Sequence, residues 1–488
     1  MESPLFPWSV LCATALIAFT FFGFTLTSAV PVWIDESFIV EYGRVTLAGN
    51  ADVFGFHQRS DANRPMYLYT VLGSAIQELA YRATEPSNLG PRISALLGQL
   101  AAFGYLLYYF RLRGVNDRFS LLLGLAFLID PLCDIGWRGG RVDSWAFAFL
   151  FASLCGIRIA SRWSVFWGGV AAAAGFQTWP SFAMLSPLIV LELITVVRQQ
   201  RLFIWPIGMF AAGGTIATAA VVAPFYRQFG YGLADAALLT SIQSQMNRTQ
   251  DIGAQLRTLG ISLAQTPIVV VAGLCALARR RNLLLLAGFL VALAFAFSTN
   301  LYRLRVLYIL PYLYVAAGSL FWNPDEGLSH FPWQRARLWA VGLMLFAGAG
   351  FTVAGTTLSG LTDRFGKNPL DLIEPARAAI GGGPVQVFME EPDLYFVGGT
   401  LGWKQFYCFD SCWGPGITKP LLQQLLLAGD IAIFRGKPDA LRQAILEKLG
   451  YRFETVMLPD GGHQSSLFGW NYGPRTYGPY YIYHHFQR

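Results

Sequence analysis

The chain has 488 residues, of which 54% are hydrophobic, 15% aromatic and only 13% charged. A soluble domain carries about 25% charged residues, so an all-soluble enzyme, a disordered chain and a disulfide-rich secreted scaffold are excluded. The net charge of +7 does not point to nucleic acid, because the excess arginines flank apolar stretches where membrane topology accounts for them.

A membrane span needs about 20 mostly apolar residues. The hydropathy pattern predicts eleven, over 8–30, 92–110, 115–132, 144–161, 163–179, 181–197, 202–223, 258–277, 283–299, 306–322 and 338–356. The first is longer than the core of a signal peptide and has no Lys or Arg before it, so it is read as a span. The stretch 66–82 is apolar but carries Gln77, Glu78 and Arg82, which predicts a helix lying in the membrane interface. With eleven spans, five loops share one face with the N-terminus. They hold twelve arginines, among them Arg111, Arg113, Arg158 and Arg162, against Asp117, Asp325 and Glu326. By the positive-inside rule that face is cytoplasmic.

The outer face then receives a long first loop at 31–91, short loops near 133–143 and 300–305, a loop at 224–257, and the C-terminal residues 357–488. The expected organisation is a transmembrane domain over 1–356 and an extracytoplasmic α/β domain over 357–488. The second holds all five lysines, with strand-like runs at 384–389, 430–434 and 480–486 and helix-like runs at 419–428 and 437–449. Cys408 and Cys412 fall in this outer part, where a disulfide is allowed; spacing alone leaves a bond and two free thiols both open.

The span centres are almost free of charge, whereas their outer ends are not. Asp35 and Glu36 follow the first span, then His57, Arg59, Asp61 and Arg64. The second outer loop supplies Asp130, Asp134, Arg138, Arg141 and Asp143, and the loop after the ninth span supplies Arg303 and Arg305. Three distant loops thus bring acids and arginines to one membrane face, where ionisable groups are costly and therefore functional candidates. The chemistry they suit is attack on an anionic lipid headgroup: a carboxylate takes a proton from a hydroxyl, and arginines hold a phosphate as it leaves. Each residue also has a plainer reading. Asp35 and Glu36 suit a helix start, the late arginines suit snorkelling to headgroups, and Asp143 suits a simple pair with Arg141 or Arg138. No spacing resembles a metal motif, a phosphate-binding glycine loop or a Ser/His/Asp arrangement.

The ordered set of motifs resembles the GT-C glycosyltransferases, in particular the protein O-mannosyltransferases and the bacterial aminoarabinose and galacturonic acid transferases of lipid A and lipopolysaccharide core. The motifs are WIDESFIVEYGRVTLAGN after the first span, NRPMYLYTVLG, RISALLGQL opening the next span, RVDSWAFAFL, and YRLRVLYILPYLY late in the chain. The chain departs from these relatives at Pro65-Met66, where they often carry Pro-Pro.

The resemblance implies a GT-C fold and an inverting transfer of a sugar from a polyprenyl-phosphate donor to an acceptor hydroxyl, at the outer face of a bacterial cytoplasmic membrane. It implies Asp35 as the base and Glu36 as its partner. Arg64, Arg303 and Arg305 become phosphate contacts, with Arg305 favoured. His57, Arg138, Arg141 and Asp143 are placed in the site without single roles. The acceptor is a glycan, a lipid or a protein. No cofactor is required, and use of a divalent metal stays open. A lipid or glycan transporter and a non-catalytic assembly subunit are the rival classes, and a transporter would concentrate its charges near the bilayer midplane.

Overall fold

A computed structural model of the chain describes residues 34–48, 58–59, 64–65, 70–199, 205–247, 252–279, 282–298, 303–321, 339–348, 368–407, 429–462, 466–467, 470–471 and 477–486, with residues 16, 26, 32, 67, 336 and 350 between them. His57, Asp61, Cys408, Cys412 and nearly all of the first predicted span lie outside the described residues. So does the run 419–428.

Helix α1, Ile34–Ala48, carries Asp35 and Glu36 in its first turn, where acids complement the helix dipole. A short ladder follows, β1 (Gln58–Arg59) against β2 (Arg64–Pro65). Helix α2, Val71–Arg82, takes up most of the 66–82 stretch. Its rise of about 18 Å is too short for a hydrocarbon core of about 30 Å. It lies against α1 instead, and Gly43 permits the approach: a Cβ there would stand 2.1 Å from the carbonyl oxygen of Ser74.

The bundle begins with α3, Leu89–Leu112. The predicted span 115–132 is two helices, α4 (Asp117–Leu128) and α5 (Pro131–Arg138), bent by 50°. Pro131 cannot continue α4, since it has no N–H to donate. Asp130 caps α5 instead, accepting from the Leu132 N–H at 2.9 Å and the Tyr314 hydroxyl at 2.8 Å. Helices α6 (Asp143–Ile159) and α7 (Arg162–Thr178) have 17 residues each. The apolar helix Trp205–Ala237 runs past the predicted boundary at 223. The predicted span 258–277 is again a bent pair, Ile252–Leu263 and Pro267–Leu277, at 107°. Among the described residues four helices are long and apolar enough to cross a membrane, or six if each bent pair counts once; Leu283–Ser298 and Trp339–Gly348 are shorter apolar helices.

Helix Leu304–Phe321 is buried along most of its length and forms the axis of the bundle. Phe127 packs edge-on to Tyr314 at 5.2 Å, and Phe147 meets Tyr308 at 5.4 Å. At the far end of α6 from Asp143, Glu192 pairs with Arg113 and lies 3.7 Å from Arg158. Asp143 and Arg158 mark two charged layers about 22 Å apart along α6, with an apolar core between them.

Residues 368–486 contain a five-stranded mixed sheet in the order β4-β3-β5-β9-β6. Its strands are β3 (Gln386–Met389), β4 (Lys404–Tyr407), β5 (Ile431–Arg435), β6 (Tyr451–Met457) and β9 (Tyr480–His485); β7 (Ser466–Leu467) and β8 (Trp470–Asn471) form a separate pair. Strands β4, β3 and β5 run parallel, and β9 is antiparallel to both neighbours. One face packs on α1 and α2, so that Phe38, Val40, Tyr42 and Tyr81 share a core with Leu372, Val387, Phe396, Trp403 and Ile482. Within this interface the Tyr395 hydroxyl donates to Glu41 at 2.5 Å, and the Arg44 guanidinium lies over the Tyr81 ring at 5.4 Å.

Burial pushes the Glu41 carboxyl up to about 7, against the pull of Arg44 and the Tyr395 hydrogen bond, with Glu78 adding to the rise. A carboxyl raised in the fold contributes its stability below its unfolded value near 4.5 and loses it as pH climbs through 7. Burial likewise raises Asp393 to about 6, and it acts in the same direction. Thermal melts of wild type and Glu41→Gln in detergent, from pH 4.5 to 8, check this. Glu41→Gln is expected to gain on wild type by up to about 3 kcal/mol as pH rises; a difference that is flat or of opposite sign refutes it.

Candidate active site

Asp35 and Glu36 are neighbours in sequence but about 100° apart around α1, so they serve different surroundings. Glu36 turns inward and is fully buried. Arg92, also fully buried, binds it bidentately, Nε to Oε1 and Nη2 to Oε2, both at 2.9 Å. Arg92 Nη1 donates to the Leu26 carbonyl at 2.6 Å and Asn88 adds a bond to Glu36 at 3.3 Å. This pair ties the start of α1 to the start of α3.

Asp35 turns toward the second outer loop and keeps 24% of its side chain exposed. It is paired with Nη1 of Arg141. The same guanidinium holds Asp143, Nε to Oδ2 at 2.5 Å and Nη2 to Oδ1 at 3.3 Å. The Tyr308 hydroxyl donates to Asp143 Oδ1 at 2.6 Å. Three segments, the start of α1, the turn before α6 and the late helix Leu304–Phe321, thus meet at the Arg141–Asp143 pair. Arg141 is 1% exposed and Asp143 0%, so Asp35 is the member of the cluster open to a ligand.

The loop that presents Arg141 depends on Gly140. Its φ is +62°, and a Cβ there would stand 2.7 Å from Glu36 Oε1. Gln77 fixes the same residue by donating to the Gly140 carbonyl at 2.6 Å. The Trp179 ring lies 5.4 Å from the Arg141 guanidinium carbon, at the break where Pro180 ends α7. Trp179 is half-buried and packs against both the bundle core and the shared core under the sheet.

The other expected residues are placed less centrally. Arg138 is buried 3.6 Å from Asp134 in α5. Arg305 is half-buried one turn before Tyr308, near the start of the late helix. Only the backbone of Arg64 and Arg303 is described, the first in β2 and the second at the start of the late helix. Among the described residues no group of three or more His, Cys, Asp or Glu side chains is placed to hold a metal ion.

Four residues of the site had no role in the sequence reading. Arg92 stood in the motif RISALLGQL, and a charged residue heading an apolar span was its signal. Gln77 was visible as polar content in an amphipathic stretch. Tyr308 and Trp179 could not be separated from the ordinary aromatic belt of a membrane protein.

Chemically, the cluster holds two carboxylates and one guanidinium and is net anionic. It suits a carboxylate proton acceptor held in place by a cation. It does not suit phosphate, which needs further arginines beside it.

No family model matches the chain, and no curated protein sequence matches it. Solved structures do. ArnT from Cupriavidus metallidurans in the apo state superposes with a TM-score of 0.61 at 14% identity, covering 99% of this chain and 98% of that one. The same protein bound to undecaprenyl phosphate gives a TM-score of 0.60 at 13% identity, with the same coverage. The mycobacterial arabinofuranosyltransferase AftD gives 0.52 at 13% identity, covering 99% of this chain but 42% of AftD. Over nearly its whole length, the chain has the fold of ArnT.

Proposed function

We propose that the chain is a membrane glycosyltransferase that moves a sugar from a polyprenyl-phosphate donor to an acceptor hydroxyl, with inversion at the anomeric carbon. The observation that carries this is the convergence of Asp35, Arg141, Asp143 and Tyr308 on one end of a GT-C bundle, with Asp35 as the accessible carboxylate. ArnT, which shares the fold, binds undecaprenyl phosphate, and this supports a polyprenyl carrier here as well.

Asp35 takes the proton of the acceptor hydroxyl. The oxygen attacks the anomeric carbon on the side opposite the phosphate, the carbon–oxygen bond to phosphate breaks, and polyprenyl phosphate departs with the electron pair. Arg141 keeps Asp35 ionised and aimed, and Asp143 with Tyr308 keeps Arg141 in place. Arg305, with Arg303 at the start of the same helix and Arg64 of β2, stabilises the leaving phosphate; one well-placed donor contributes about 3 kcal/mol in a partly dry site. Glu36 acts through the fold, as the anchor of α1. The site and residues 357–488 face the exterior of a bacterial cytoplasmic membrane in this reading. The acceptor is a glycan, a lipid or a protein.

The two adjacent acids are expected to fail differently. Asp35→Asn should lower transfer by about 10²–10⁴-fold with an unchanged melting temperature. Glu36→Ala leaves the buried Arg92 charge without its bidentate partner and should cost about 3–5 kcal/mol of stability. Transfer from a panel of undecaprenyl-phosphate sugars, measured beside thermal melts, reads both. An Asp35→Asn enzyme with full activity removes Asp35 as the base.

A further inference from the structure

The helix that carries Asp35 is held from outside the bundle. Val32, three residues before Asp35, donates its backbone N–H to the Tyr477 hydroxyl at 2.8 Å. Glu41, six residues after Asp35, accepts from the Tyr395 hydroxyl at 2.5 Å. Both tyrosines belong to the C-terminal α/β segment, and all four residues are buried, none more than 3% exposed. Tyr477 is also close enough to Arg92, Asp393 and Glu36 to feel their charges.

These contacts add direction to a docking that apolar packing already secures. The sheet has a second core on its other face, with Phe388, Phe434 and Leu446, and it meets α1 and α2 through a broad shared core. Hydroxyl bonds at both flanks of Asp35 contribute something packing does not: they fix where the helix starts and how it is rotated. Rotation decides whether Asp35 faces Arg141. Displacements of about 1 Å in a reacting group are enough to cost about 100-fold in rate.

We propose that the C-terminal α/β segment is part of the transfer machinery, with Tyr477 and Tyr395 as positioning residues that aim Asp35 at Arg141 and the acceptor. The proposal rests on the reading of Asp35 as the base. Tyr451 supplies the control, since its hydroxyl donates to the Gly429 carbonyl at 2.8 Å within the same segment, away from α1.

The full-length chain in nanodiscs, as wild type, Tyr477→Phe, Tyr395→Phe and Tyr451→Phe, is compared by hydrogen exchange over residues 32–48. Turnover is followed with a panel of undecaprenyl-phosphate-linked pentoses and hexoses. Tyr477→Phe and Tyr395→Phe should exchange faster over that stretch and lose about tenfold or more in kcat at unchanged KM. Their acid limb should move to higher pH as Asp35 loses the guanidinium that keeps it ionised. Tyr451→Phe should match wild type in all three. Unchanged exchange in both variants overturns the clamp, whatever the activity. Faster exchange with unchanged kcat and pH profile overturns the positioning role. Absence of turnover by wild type with every donor overturns the glycosyltransferase reading, and the exchange data still decide the clamp.

Discussion

Arg141 binds two carboxylates that approach it from different parts of the chain, and most of the surrounding structure supports that bridge. A buried guanidinium costs several kcal/mol unless its partners are well placed. Asp143 is supplied from the same loop, Asp35 from a helix 106 positions away in sequence. The glycine turn at Gly140, the Gln77 amide on its carbonyl, and the Tyr308 hydroxyl on Asp143 each remove a way for the cluster to relax. The Glu36–Arg92 pair lies directly behind and fixes the helix from which Asp35 projects. The division of labour between two adjacent acids follows from helix geometry. One faces the core and is neutralised there, and the other faces the opening and remains available.

The platform between bundle and sheet explains how an accessible carboxylate is kept so well defined. Helices α1 and α2 are too short to cross a bilayer and instead form a layer over the bundle end. The sheet covers that layer from the other side, through an interface that mixes a shared apolar core with the Glu41–Tyr395 and Val32–Tyr477 bonds. Trp179 sits where bundle, platform and site meet, at a helix break set by Pro180. The opposite end of the bundle carries its own buried cluster, Glu192 with Arg113, Arg158 and Tyr109. Among the described residues, charged clusters stand at the two ends of α6 with an apolar core between them.

Much of this was legible in the sequence because charge is scarce in it. Against 13% charged residues, the runs around Asp35, Arg141 and Arg305 stand out without any knowledge of the fold. The short helix within 66–82 was legible as something other than an ordinary span for the same reason, since Gln77 and Glu78 interrupt an apolar run. The span count was less legible. Hydropathy does not register a proline or a capping aspartate that bends a helix, so the breaks at Asp130-Pro131 and Thr266-Pro267 read as continuous spans. Nor could hydropathy see that residues 226–247 stay helical after their apolar character ends. The roles of Arg92, Tyr308 and Tyr477 depend on contacts 56, 165 and 445 positions apart, which no local pattern records. Glu36 shows the limit most clearly. Its place beside Asp35 suggested a shared chemical task, and only the bidentate pair with Arg92 reveals that it turns the other way.

The polyprenyl-phosphate donor is the central claim, and the lipid bound to the protein tests it most directly. Mass spectrometry of lipids co-purifying with the detergent-extracted chain should find polyprenyl phosphate, or its sugar ester, enriched over the bulk membrane. The Arg305→Ala chain should lose that lipid while retaining phospholipid. Recovery of bulk phospholipid alone, from wild type and after incubation with undecaprenyl phosphate, would contradict the account.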